Sequence, residues 1–495
     1  MVGSSINVDD VPPGALVSFV QKGMQYLELE ANLDTGDGPG TTGDAEGGFA
    51  LLSPQDLMTK GVDELRDAVR EKRGEKKEQE KKKQRGSRAN GAGGGGDGAG
   101  APGGGGRGRG GGGAGNATAA AASAPAGAAG GADREVPRGQ VAVLEGHKSE
   151  VYICAWGPEG NVIASGSGDS TSRIWEVGSG SCTPSLSKTA TQNVIVLQHA
   201  NKPGEGKDVT TLDWHCDGDL LATGSYDGQA RIWTRAGEMK STLAKHKGPI
   251  FSLKWNRRGD LLLSGSVDKT AVVWDAKSGQ CKQQFSFHKG ATLDVDWRNN
   301  TSFATCSTDH FIHCCKVGEQ QPVRTFSEHK DEVNAIKWDP QGTLLASCSD
   351  DKTAKIWSLK QDKPLHDLKE HTKEIYTVKW SPTGPGSNNP NLPLLLATAS
   401  FDTTVKLWDP ETGRRLHSLE RHTEPVYSVA FSPGGEYIAS GSFDKCLRIW
   451  SAKDGTLLKT FRGEGGIFEV CWNKAGDKVA ACFSDNTLCL MDVRI

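Results

Sequence analysis

Residues 146–175 read GHKSEVYICAWGPEGNVIASGSGDSTSRIW. Two short apolar runs separated by a Gly/Pro turn lead to Asp169, and Trp175 follows six residues later. That step recurs with Trp233 after Asp227, Trp274 after Asp268, Trp357 after Asp351, Trp408 after Asp402 and Trp450 after Asp444. Two further units keep the acid and change the aromatic, with Asp309 before Cys315 and Asp485 before Met491, which gives eight units. A second aromatic lies 12 or 13 residues before the aspartate in seven of them: Trp156, Trp214, Trp255, Trp297, Trp338, Phe431 and Trp472. In the sixth unit Trp380 stands 22 residues before Asp402, and the excess falls in the Pro/Gly/Asn-rich run 382–390, which reads as a loop.

The spacings between successive aspartates, 58, 41, 41, 42, 51, 42 and 41, match the period of about 40 to 45 residues of four-stranded propeller blades. Short runs that alternate or stay apolar between Gly, Pro and Asp turns predict strands rather than helices. The fold class is therefore all-β, an eight-bladed propeller. The eighth unit ends too soon after Asp485 for a fourth strand, so Gln140–Leu144 is expected to close the ring as the missing outer strand.

Six units open with a histidine: His147, His246, His288, His329, His371 and His422. The second offers only His199, displaced by an insertion, and the eighth has none. An aspartate in a tight turn can accept hydrogen bonds from such a histidine, and Ser165 is placed to link His147 to Trp175 as the fourth member of a corner network. The tryptophan of each such unit is expected to pack on one side of the pair. A His/Ser/Asp set invites a catalytic reading. Repeated at regular intervals it is scaffold, and no catalytic, metal or cofactor residue is assigned.

The chain before this repeat differs in kind. All 13 tryptophans and all 12 cysteines lie between Cys154 and Cys489. Residues 1–60 hold one amphipathic stretch after Pro12-Pro13, with Leu16, Phe19, Met24 and Leu27 on one face, which needs a partner to cover it. Residues 61–88 are charged. Within 66–88 there are 11 Lys or Arg against 5 Asp or Glu, and taking this +6 from the net charge of −3 leaves −9 elsewhere. The run reads as a solvated helix end or an import signal. Residues 89–137 are Gly- and Ala-rich, too poor in apolar side chains to order, and form a linker before the propeller at 138–495. Its GxGxxG at Gly106, Gly108 and Gly111 lacks the flanking strand and helix of a dinucleotide site. The amino terminus has no secretory pattern. The cysteines show no metal spacing and read as buried reduced thiols.

Four residues before each first aromatic stand Tyr152, Thr210, Phe251, Leu293, Asn334, Tyr376, Tyr427 and Phe468, expected around one mouth of the channel. Tyr226, Asp350, Phe401 and Phe443 immediately precede a turn aspartate. With acids such as Glu150 and Glu374 this rim would suit a basic peptide.

The Gly146-His147 to Trp175 pattern and its repeats resemble WD-repeat propellers. The strings PPGALVS (12–18), GSGDST (166–171), KGPIFSLKW (247–255), EVNAIKWDP (332–340) and GGIFEVCWN (465–473) are similar to the transducin-β-like, F-box-like/WD-repeat family of nuclear corepressor subunits. The resemblance covers 11–33 and about 138–495. It implies a nuclear, non-enzymatic adaptor that joins a corepressor protein and a class I histone deacetylase to histone tails, with a link to the ubiquitin pathway and no cofactor. It departs at one point, because the eleven residues before Pro12 do not hold the family's LisH hairpin, and self-association without it is left open. The alternatives are a substrate receptor of a cullin-type ubiquitin ligase and an RNA-processing or G-protein-β-like scaffold.

Overall fold

The computed structural model describes residues 134–178, 180–200 and 207–494. The expected amphipathic face of Leu16, Phe19, Met24 and Leu27, the basic run and the linker up to residue 133 lie outside the described residues. Eight sheets follow one another along the chain, each with four antiparallel strands, and one of them carries a fifth, parallel strand at Arg134–Glu135. Blades 1 to 7 span residues 151–198, 209–244, 250–285, 292–326, 333–368, 375–419 and 426–462, and blade 8 is built from 467–492 together with 141–144. The first strand of each blade packs against the first strands of the blades before and after it, and blade 8 returns to blade 1, so the ring is closed.

Each sequence marker has a mechanical task. The turn aspartate uses Oδ1 to accept the backbone N–H two residues on, from Thr171 at 2.9 Å in blade 1 to Thr487 at 3.1 Å in blade 8. The intervening residue is left-handed in all eight turns, with φ between 64° and 75° at Ser170, Gly228, Lys269, His310, Lys352, Thr403, Lys445 and Asn486. Seven of these are not glycine, so the carboxylate supplies the local bond that makes the strained conformation tolerable. The first aromatic stitches blades together. Trp214, Trp255, Trp297 and Trp380 each donate an indole N–H to an inner-strand carbonyl of the preceding blade at 2.8 to 3.1 Å. Trp156 does the same to Cys471 across the closure at 3.3 Å. Second strands carry small residues because the neighbouring blade lies directly against them. A Cβ at Gly166 would sit 2.8 Å from Val209 Cγ1 of blade 2.

Closure follows the expectation. Val141–Leu144 pairs antiparallel with Leu488–Asp492, with Val141 opposite Met491 and Leu144 opposite Leu488. Two features correct the sequence reading. Residues ahead of the boundary placed at 138 already pack on the propeller: Arg134–Glu135 runs parallel to the outer strand Leu457–Arg462 of blade 7, and Val136 donates to the Thr460 carbonyl at 2.8 Å. The buried Val136 side chain anchors this segment where the composition still reads as linker. The second is a helix, α1, at Pro184–Gln192 inside the blade 1 insertion, where only strands were expected. Proline in its first turn and Thr183 at the cap set its start. Its Ala190 is buried, and it packs on the closing strand 141–144.

Candidate protein-interaction face

The corner networks come first because they separate scaffold from surface. In blade 1, His147 Nδ1 lies 3.0 Å from Asp169 Oδ2 and its Nε2 2.8 Å from Ser165 Oγ, which also accepts the Trp175 indole N–H at 2.9 Å. Blade 3 repeats this with His246, Ser264, Asp268 and Trp274, and blade 5 with His329, Ser347, Asp351 and Trp357. Blade 6 uses His371, Thr398, Asp402 and Trp408, and blade 7 His422, Ser440, Asp444 and Trp450. Ser165 is thus the fourth member, as its position suggested. The displaced His199 still reaches its place: its Nε2 meets Thr223 Oγ1 at 2.7 Å, the hydroxyl that accepts from Trp233, while Asp227 pairs with Arg231 at 2.7 Å.

The corner tryptophans, read from the sequence as structural residues packed beside the His–Asp pair, are buried. Trp175 and Trp357 are fully buried, Trp408 is 1% exposed, Trp274 and Trp450 2%, and Trp233 4%. All six are packing residues of the scaffold. The physical reason is their position on the third strand. There the indole fills the space between its own blade and the preceding one, as Trp274 does in one cluster with Ile232 of blade 2 and Trp357 does against Phe326 of blade 4, while its single N–H is spent on the corner hydroxyl.

Burial holds His147, His329, His371 and His422 below the ordinary imidazole range, against the opposing pull of their aspartates. His199 falls to about 3 for the same reason, with Arg231 adding to it. Five near-identical sets with their acceptors fully engaged form ties, with no free nucleophile among them.

The predicted rim residues gather into an arc rather than a ring. Phe468 of blade 8 meets Tyr152 of blade 1 at 5.6 Å between ring centroids, and meets Phe443 of blade 7 at the same distance. Tyr427 touches Phe443 at 4.8 Å, Phe401 at 5.3 Å and Tyr376 at 5.0 Å, so the chain of rings continues into blade 6. Its members differ in depth. Tyr427 is 6% exposed and Phe468 7%, whereas Tyr376 is 39% exposed. Tyr427 and Phe468 are therefore packing residues, which corrects their reading as surface contacts. Tyr376, Phe401, Phe443 and Tyr152 present the accessible part. Tyr226 and Phe251 are half-buried on blades 2 and 3, outside this arc. Thr210 and Asn334 spend their polar groups on neighbouring blades: Thr210 donates to the Ile250 carbonyl, and Asn334 donates to the Ile375 carbonyl at 3.0 Å.

Next to the open end of the arc lies negative charge. Asn334 also donates to Asp350 at 2.6 Å, and Asp350 is raised above the usual carboxylate range by burial and then by Asp331, Glu374 and Asp351, against the lowering effect of Asn334. Like charges crowd there, and a ligand cation would relieve them.

The sequence reading missed a third set, on the inner strands beneath the mouth. Asp294 pairs with Lys337 at 2.6 Å and accepts the Ile336 N–H at 3.1 Å; Asp213 and Asp296 accept the N–H groups of Trp255 and Trp338 at 2.8 and 2.7 Å. These carboxylates tie one blade to the next. Their signal was an acid one or three residues before the first aromatic, where other blades carry residues such as Ala155, Ser252 or Lys337.

Comparison with known proteins agrees with this architecture. The WD domain, G-beta repeat family matches residues 138–176, 197–234, 237–275, 320–358, 362–409, 413–451 and 455–492. The chain is 51% identical over 500 residues to mouse F-box-like/WD repeat-containing protein TBL1X, a match that covers 99% of this chain and 93% of the relative. The chain belongs to the F-box-like/WD-repeat family. Human TBL1Y is 49% identical over 503 residues with 99% and 93% covered, and Arabidopsis thaliana WD40 repeat-containing protein HOS15 is 49% identical over 582 with 99% and 94% covered. The C-terminal WD40 domain of Sif2 superposes with a TM-score of 0.61 at 21% identity, over 74% of this chain and all of that one, which shows the shared fold. Residues 276–319 fall between the matched segments, yet they hold most of blade 4, whose tryptophan position is Cys315. As an F-box-like/WD-repeat protein the chain is a propeller scaffold for protein–protein contacts.

Proposed function

We propose that the chain is a non-enzymatic adaptor of a nuclear histone-deacetylase corepressor complex, and that the mouth at blades 5 to 8 and 1 receives a lysine-rich histone tail. The observation that carries this reading is the juxtaposition of the open aromatics Tyr376, Phe401 and Phe443 with the crowded acids Asp331, Asp350 and Glu374. An ammonium group gains from both, through cation–π attraction and relief of like-charge repulsion. The family supports the complex: relatives at about half identity span nearly the whole chain. Residues 11–33, with Leu16, Phe19, Met24 and Leu27, are the segment we assign to the corepressor protein.

Acetylation removes a lysine's charge, so an adaptor that retains a deacetylase near its product favours the unacetylated tail. Titration of the full chain with unacetylated and tetra-acetylated tail peptides, at physiological and raised salt, tests this. Preference for the unacetylated peptide that weakens with salt is expected. Equal affinity, or indifference to salt, overturns the ligand class. A tagged pull-down that recovers cullin and its adaptor in place of deacetylase overturns the complex.

A further inference from the structure

Blade 4 departs from its neighbours at two places that touch the same atoms. Six blades place a tryptophan whose indole N–H donates to the corner hydroxyl at 2.8 to 2.9 Å. A hydroxyl that accepts there has its own single proton to give, and the facing histidine Nε2 takes it. The imidazole proton then resides on Nδ1 and points at the aspartate. Blade 2 shows the same tautomer independently, since His199 Nδ1 faces the Leu197 carbonyl at 3.2 Å and must be the donor. In blade 4 the indole is replaced by Cys315, and His288 Nε2 lies 2.8 Å from a Thr305 hydroxyl that no indole claims. Thr305 can accept from Nε2–H, which frees the lone pair of Nδ1.

The second departure is four residues after the turn aspartate. Five blades carry a cation there: Arg173, Arg231, Lys355, Lys406 and Arg448. Blade 4 carries His313, whose ring lies 4.5 Å from that of His288 between centroids. His313 Nδ1 is engaged by Thr325 Oγ1 at 2.9 Å, which leaves Nε2 for a ligand. His288 Nδ1 stands 3.0 Å from Asp309 Oδ2, and one ligating atom each from His288, Asp309 and His313 lie within 4.8 Å of one another. In a tetrahedral zinc site with bonds of about 2.1 Å, ligand atoms are about 3.4 Å apart. The first pair is already near that distance, and the third side chain has about 1.4 Å at most to close. Thr305 and Thr325 supply the outer hydrogen bonds that fix both ring tautomers.

We infer that His288, Asp309 and His313 form a binding site for one zinc-class divalent transition-metal ion, which takes the place of the Lys or Arg used by other blades. Binding moves the His288 proton from Nδ1 to Nε2 and displaces none from the ring. Two imidazoles and a carboxylate suit zinc-class ions over magnesium or calcium, and leave one position for water.

The test uses untagged full-length protein stripped with chelator and reloaded with Zn²⁺ alone. Elemental analysis after gel filtration is expected to give one more zinc per chain in the native protein than in His313→Lys, which installs the side chain of blades 5 and 6. His313→Gln, a smaller change, should match His313→Lys. The zinc X-ray absorption spectrum of the native protein is expected to show imidazole and oxygen ligands for that ion. Equal zinc content in native protein and either folded variant overturns the site. So does a spectrum with sulfur ligands only, which needs no variant to fold and would move the metal to the cysteines.

Discussion

Ring closure gives the sharpest quantitative expectation. Replacing Val141-Ala142-Val143-Leu144 by Gly-Ser-Gly-Ser in the full chain removes the apolar side chains of the closing strand and keeps its length. Val141, Ala142 and Leu144 are at most 1% exposed, and Val143 is half-buried. At about 2 kcal/mol for each fully buried Val or Leu and about 1 for each of the others, the loss is about 6 kcal/mol as an upper figure. The structure from 134 to 494 unfolds with an entropy of roughly 2.1 cal/mol/K per residue, so this corresponds to about 8 °C in melting temperature. The exposed edge is Leu488–Asp492, whose partners on its other side, Lys478–Phe483, remain paired. Blade 8 should therefore open before the rest, and its unpaired edge should promote self-association. Differential scanning calorimetry gives the shift, and light scattering the association. A melting temperature within about 2 °C of the native value, against the ~8 °C above, would refute closure as the stabilising element and leave the strand as a surface ornament.

Four further outcomes are expected. Tyr376→Ala should weaken the unacetylated tail peptide by about 2 kcal/mol, roughly thirtyfold, with no loss of stability in a urea melt. Tyr427→Ala, with its ring packed among four others, should instead lose about 3 kcal/mol of stability. Urea midpoints should fall steadily from about pH 7 to pH 5, because histidines held below the ordinary value by burial, such as His199 at about 3, contribute stability that is complete above the unfolded pKa near 6.5 and is lost as pH falls. The depressed Asp169, Asp351, Asp402 and Asp444 continue the loss below about pH 4, so a flat profile would contradict the buried ties. Leu16→Asp with Phe19→Asp should abolish recovery of corepressor protein in a pull-down while the melting temperature stays constant, and a surviving pull-down moves that contact elsewhere.

What the sequence made legible follows from how strictly each position is used. The Asp-to-Trp step was readable because both residues perform local tasks at fixed separation, so the period survives insertions in blades 1 and 6. Helix α1 was hidden because its sequence, PSLSKTATQ, is rich in Ser and Thr and buries only Ala190. Its stability comes from the closing strand beneath it, a contact of distant residues. The rim was half legible: its aromatics were identified, but alternation cannot distinguish Tyr376 from Tyr427, which occupy the same place in successive blades. Depth is decided by neighbours. Tyr427 is flanked on both sides by aromatic blades, while Tyr376 has Asn334 on one side.

The order in which the markers are lost also has a physical reason. All eight blades keep the turn aspartate, seven keep a histidine near the corner, and six keep the tryptophan. The aspartate offsets a left-handed residue that would otherwise cost about 1–3 kcal/mol, and no distant group can replace a bond formed within the turn. The histidine can be replaced by volume. In blade 8 the corresponding position is Gly463, and a Cβ there would meet the fully buried Phe483 ring, which fills the corner that serine and histidine occupy elsewhere. The tryptophan is the most replaceable, since its hydrogen bond serves a hydroxyl that has other partners. Removing it alters which proton the histidine carries, and in blade 4 that altered tautomer coincides with a second histidine. A repeat that tolerates loss of its outermost tie can therefore acquire ligand chemistry at one corner while the other seven hold the ring.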